Sequence, residues 1–231
     1  MVRHLYQHLV WPNANTTTQS KQYLTVHTLN AAAPTDIFAL APTPTSLLSG
    51  SGSSTILVHS TTSPDFPLKQ KLEGAHKLGV HHIAASKDGN AAVSVGFGGE
   101  TKMWRFRKVD ENAAVGTGAW EEAGKIAAGV GSDKAKDGAG VGEIWAVALS
   151  ADGRYLAAGA YDGKVRVWDL GAEQWPCVRE YETKGSFGMS VDISTDGRLV
   201  ASGHANGSVY VFNNDSGRMV HSLPGTVISF S

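Results

Sequence analysis

Cysteine is nearly absent: Cys177 is the single one among 231 residues. An internal disulfide needs two, so none crosslinks this chain, and a reducing compartment is the simpler expectation. There is no excess of either charge, with 20 Lys and Arg against 21 Asp and Glu. A chain this close to neutrality builds no long-range field to gather nucleic acid or anionic membrane, so neither is expected as a direct partner. No apolar run reaches the length of a membrane span. Residues 1–20 lack the continuous apolar core of a secretory signal and read as a poorly ordered extension. A cytoplasmic protein that also enters the nucleus is the expectation. No G-x-S-x-G elbow exists to present a nucleophile, and no GK[ST] loop exists to hold a phosphate.

What is present is repetition. Asp152-Gly153 returns as Asp196-Gly197, and Trp168 is answered by Phe212, each 44 residues on. Between Glu143 and Leu170 the chain reads as three short strands with two turns. Ile144–Leu149 is apolar throughout, as a strand buried on both faces should be. Asp152-Gly153 and Asp162-Gly163 supply the positive φ that tight hairpins demand. Val165-Arg166-Val167-Trp168 alternates with period two. The same grammar recurs at 188–213, and with decay at 74–106 and 36–59. Repeats of this length that cannot bury both faces alone predict an all-β chain of propeller blades.

About four blades are legible, near 25–60, 72–126, 143–175 and 178–223 of a propeller spanning 21–225. Trp104 and Trp168 are 64 residues apart, too many for one blade, and the excess falls in insertions at 109–119 and 127–142. Trp120–Ile126 between them reads as a fourth strand, and the second insertion as a flexible loop. Arg218–Leu223 reads as the last strand, with 226–231 an atypical tail.

Gly74-Ala75-His76, the Trp168-Asp169 pair and the repeated Asp-Gly turns resemble the WD-repeat family. The stretches around Gln22–Ser60, Gly74–Ala84 and Glu143–Leu170 are similar to the WD-repeat subunit of the fungal superkiller (Ski) complex. That resemblance implies a non-catalytic scaffold for cytoplasmic, exosome-assisted mRNA decay, docking a tetratricopeptide-repeat subunit and an RNA helicase. It also implies a meiotic role beside the topoisomerase-like protein that makes recombination breaks. Its propeller has seven blades, so four blades would be an incomplete ring. The alternatives are a truncated WD-repeat product without a closed ring and a WD-repeat adaptor of another complex.

In WD repeats a His, a second-strand Ser or Thr, a turn Asp and the closing Trp share a buried hydrogen-bond chain. By resemblance the second blade keeps His76, Ser94 and Trp104, with Gly98 at the Asp position. The third keeps Asp162 and Trp168, with Ala158 in place of the hydroxyl. The fourth keeps Ser202, with Asn206 for Asp and Phe212 for Trp. Partial networks of this kind leave stability to packing between blades.

Other candidates for chemistry have plainer readings. Gly96-Phe97-Gly98-Gly99-Glu100 looks like a phosphate loop but precedes a strand, so a hairpin turn is expected. His81 and His82, beside His76, would point to opposite faces of a strand and cannot converge on a metal. Cys177, with Arg179 its one nearby cation, reads as a buried thiol. Arg105-Phe106-Arg107-Lys108 is too short for a nucleic-acid groove and reads as a solvated strand end. No catalytic residue, metal or cofactor is expected. Aligning the units puts Phe38, His81, Trp145 and Met189, with Phe97, Tyr161 and Ala205, on one rim. Four of these seven are Phe, Trp or Tyr, a composition suited to anchoring a partner protein.

Overall fold

The computed structural model describes residues 28–29, 33–110, 116–126, 143–184 and 186–225. The 1–20 extension, the 127–142 insertion, the middle of the 109–119 insertion and the 226–231 tail lie outside the described residues.

Among the described residues sixteen strands form four antiparallel sheets, each a meander taken in chain order. The first sheet holds β1 (Ile37–Pro42), β2 (Ser46–Ser51), β3 (Ile56–Ser60) and β4 (Leu68–Leu72). The second holds β5 (Val80–Ala85), β6 (Ala91–Gly96), β7 (Thr101–Lys108) and β8 (Gly118–Lys125). The third holds β9 (Ile144–Leu149), β10 (Tyr155–Ala160), β11 (Val165–Asp169) and β12 (Cys177–Tyr181). The fourth holds β13 (Gly188–Ile193), β14 (Leu199–His204), β15 (Val209–Asn213) and β16 (Arg218–Leu223). Two strands fall outside the sequence-based blade bounds. β4 lies beyond 60 yet completes the first sheet, and β12 completes the third rather than opening the fourth. Both are outer strands with mixed polar burial, so they carry little apolar pattern.

The core lies in the three spaces between successive sheets. Leu48, Ile56 and Val58 of the first sheet meet Ile83, Ala92 and Trp104 of the second. Val93, Val95 and Met103 meet Leu156, Ala158 and Trp168. Ala157, Val165 and Val167 meet Val200, Tyr210 and Phe212. Each sheet thus sends small or branched residues from one face against a large ring on the next. The inner strands β1, β5, β9 and β13 are successive neighbours, and the described residues form no closed ring.

The first turn of three blades has one chemistry. Ser86, Ser150 and Ser194 each donate from Oγ to the Asp two residues on, at 2.5, 2.6 and 2.5 Å. Each same Oγ accepts from the backbone N–H five residues on, at 3.0, 2.9 and 2.9 Å. Gly153 completes the third-blade turn at φ 68°, and a Cβ there would lie 2.8 Å from Ala91 Cβ of the neighbouring sheet. Gly153→Ala is therefore expected to cost ~1–3 kcal/mol through both the left-handed backbone and the crowded sheet contact. Equilibrium urea denaturation measures it, and an unchanged midpoint would contradict the turn geometry.

Candidate docking surface

A β-bulge interrupts the pairing of the first two strands in every sheet. The register skips Phe38, His81, Trp145 and Met189, leaving each unpaired between two paired neighbours. A bulge re-aims the side chain it frees. A second repeated tie holds the same end of each blade. The N–H groups of Gly52, Phe97, Tyr161 and Ala205 donate to the carbonyls of Asp36, Gly79, Glu143 and Phe187, at 3.1, 3.3, 3.0 and 2.9 Å. Bulge and tie together carry the residues aligned from the repeat to one rim.

On that rim five of the candidates form a continuous string of rings. Phe38 meets Phe97 edge to face at 5.1 Å, and Phe97 lies 5.1 Å from His81. His81 stacks on Trp145 at 4.4 Å and hydrogen-bonds the Trp145 carbonyl through Nε2 at 2.9 Å. Trp145 meets Tyr161 at 5.6 Å and Phe187 at 5.5 Å, and those two rings stack at 4.3 Å. Phe38, Phe97 and Tyr161 remain 52%, 41% and 49% exposed, and Met189 is 53% exposed at the equivalent bulge of the fourth sheet. Trp145 is half-buried, since it both packs between blades and shows an edge. Leu78, 64% exposed, adds to the same apolar surface near Gly98. The sequence reading missed Phe187, because the equivalent positions in the other units are Asp36, Gly79 and Glu143.

The buried networks differ from blade to blade. In the second, Ser94 Oγ lies 2.7 Å from His76 Nε2 and accepts from Trp104 Nε1 at 2.8 Å. Glu100, not Gly98, provides the nearest carboxylate, 3.6 Å from His76 Nδ1. Burial lowers the His76 pKa to about 4, so the ring is neutral at pH 7 and this contact is no ion pair. The Ser94, His76 and Glu100 order mimics a hydrolase triad, yet Ser94 is 0% exposed and out of a substrate's reach.

In the third blade Asp162 joins a charge cluster instead. Arg166 donates to Asp162 at 2.6 Å and to Glu180 at 2.7 Å, and Lys164 reaches Glu180 and Glu182. Trp168 is fully buried in the core. In the fourth, the imidazole beside Ser202 comes from His204 of the same strand. Its Nε2 lies 2.9 Å from Ser202 Oγ and its Nδ1 2.7 Å from the Ser186 carbonyl. Asn206 Oδ1 accepts from the Ser208 N–H, and Phe212 stacks on Tyr181 at 4.3 Å.

Cys177 is half-buried rather than buried, with Sγ 3.3 Å from the Arg179 carbonyl, and burial raises the thiol pKa. Arg105 is not simply solvated, since it donates to the Leu170 carbonyl at 3.3 Å. Among the described residues no group of three or more His, Cys, Asp or Glu converges as a metal site. The Gly96–Glu100 segment is the hairpin from β6 to β7, with Gly99 at φ 76°.

Four bulged blades with a shared rim give the described residues one repeated edge. The family described as WD domain, G-beta repeat matches residues 137–169 and 175–213, which hold most strands of the third and fourth sheets. Sheets one and two repeat their bulges and ties. Such repeats mediate protein–protein contacts and are in general not catalytic. The chain is 32% identical over 211 residues to Meiotic recombination protein rec14 of Schizosaccharomyces pombe. The match covers 89% of this chain and 61% of that relative.

Ser94→Ala removes the shared partner of His76 and Trp104, and is expected to cost ~1–3 kcal/mol in urea denaturation. His76 holds its proton less tightly folded than unfolded, so it favours the fold above the ordinary His pKa, and that contribution is lost as pH falls from about 6.5 toward 4. Stability should fall less steeply over that interval in His76→Asn. Burial pushes the Asp162 and Glu180 pKa values up, but hydrogen bonds and charge from Arg166 and Lys164 together hold both below the ordinary carboxylate range. Their contribution is present at neutral pH and lost as pH drops through the carboxylate range. Arg166→Gln should therefore cost ~1–3 kcal/mol at pH 7, with the gap to wild type narrowing near pH 3.

Proposed function

We propose that this chain is a protein-docking scaffold that serves meiotic recombination, with a second role in superkiller-type, exosome-assisted mRNA decay. The observation that carries it is the ring string from Phe38 to Phe187, an exposed apolar surface held rigid by backbone bulges. Rigid aromatic anchors lose little freedom on binding, which suits a surface that captures partner segments. The relative's printed name supports the meiotic assignment. The decay assignment, with a tetratricopeptide-repeat subunit and an RNA helicase as partners, is supported by the resemblance around Glu143–Leu170. The protein would then work in the cytoplasm in decay and in the nucleus in meiosis.

A second reading, that the chain alone does not close a ring, is favoured by the outward face of the fourth sheet. Leu199, Val209 and Leu223 are 43%, 36% and 58% exposed there, whereas Val165, 44 residues before Val209, is 0% exposed. Light scattering at several concentrations separates the readings: a stable monomer opposes the second, and association through an open face supports it.

The docking reading is tested by affinity purification from vegetative and meiotic host cells, comparing wild type with the Tyr161→Ala and Phe97→Ala double variant. Wild type should capture a tetratricopeptide-repeat protein and a helicase in growth, and the break-making protein in meiosis. The variant should lose them at least tenfold while keeping its denaturation midpoint, since truncating interface anchors costs about 1–2 kcal/mol or more each. Equal capture by both proteins would remove the rim from the account.

A further inference from the structure

The fourth sheet presents a face that is complementary to itself. Strand pairing sets that face out in cross-strand rows, because residues directly opposite in a ladder share a side. One row runs Asp192, Ala201, Val211, His221, and the next runs Ser190, Gly203, Val209, Leu223. Asp192 and His221 are exposed and stand at the two ends of one row, on the inner and the outer strand. In the third sheet the same face is covered: Ala157, Val165 and Val167, 44 residues before Ala201, Val209 and Val211, are 0% exposed. In the fourth, Val209 and Leu223 are 36% and 58% exposed. A Cβ at Gly159 would lie 3.2 Å from the Gly188 backbone of the next sheet, whereas at Gly203 the one described neighbour within 4 Å is Ser190 Oγ of its own sheet.

Turning a second copy about an axis parallel to the strands, between β14 and β15, sets the two faces together. Each row then lies on the same row of the other copy in reverse order. Asp192 meets His221, Ala201 meets Val211, Gly203 meets Val209 and Ser190 meets Leu223. An imidazole N–H donates to a carboxylate, and the small Ala201 and Gly203 receive the branched Val211 and Val209. A two-fold axis makes each contact twice. Stacked sheets with nearly aligned strands are an ordinary way for two sheets to pack. An axis across the strands would instead lay β13 on β13 and keep Asp192 and His221 apart.

We propose that the outward face of the fourth sheet pairs with the same face of a second copy of this chain, as a two-fold dimer whose apolar stripe is flanked by two Asp192–His221 contacts. The proposal rests on the reading that the chain alone leaves this face open. It is tested on the full chain by sedimentation equilibrium over a range of concentrations. Wild type should pass reversibly from one copy to two. Asp192→Lys and His221→Glu, each keeping its denaturation midpoint, should each weaken the dimer at least about tenfold, because each removes both complementary contacts and sets two donors or two carboxylates face to face. Mixed in equal amounts, the two variants should associate again as a one-to-one pair. The introduced lysine then faces the introduced glutamate, and the remaining Asp192 faces the remaining His221. A monomer at every concentration would overturn the proposal and the open-face reading together. Association that neither variant weakens, or variants that fail to rescue each other, would overturn the pairing and leave the open-face reading standing.

Discussion

Packing between sheets is the constraint on which everything else depends. Each four-stranded sheet is apolar on both faces and too small to bury either by itself. Trp104, Trp168 and Phe212 occupy one position in successive sheets, each pressed against small or branched residues of the sheet before. A large ring meeting Ala and Val suits the space between twisted sheets, and dispersion adds to the burial of apolar area. The polar networks ride on this packing. They differ among blades because each needs only to satisfy whatever polar atoms its own interface buries. His76 with Ser94, Arg166 with two carboxylates, and His204 with Ser202 are three solutions to one requirement.

The rim follows from the same stacking. Inner strands lie side by side, so an irregularity repeated at one place in each strand is repeated around the axis. The bulges at Phe38, His81, Trp145 and Met189 therefore bring residues from four distant parts of the chain to a single edge. The backbone ties from Phe97 and Tyr161 set the second row beside the first. Rings placed this way brace one another, which fixes their orientation before any partner arrives.

The chain spans 61% of the relative's length, and the outward face of the fourth sheet exposes Val209, whose counterpart Val165 in the third sheet is buried. The exposed Leu199 and Val209 lie on a sheet face, while Tyr161 and Phe97 lie at the bulged rim.

Much of this was legible in the chain itself. The 44-residue spacing, the Asp-Gly turns and the apolar inner strands determine an all-β array of blades, because turn chemistry and side-chain alternation are local and leave a direct trace. Alignment of the units also named Phe38, His81, Phe97, Trp145 and Tyr161, whose rings the structure joins in one string. The outer strands β4 and β12 left no such trace, since they are largely polar and exposed. Only the tertiary structure decided the rest. A bulge is a mismatch between two strands, so neither strand's sequence announces it. Phe187 joins the ring string, Glu100 approaches His76 and Arg166 recruits Glu180 through contacts between separate strands or loops, where packing rather than order along the chain chooses the partner.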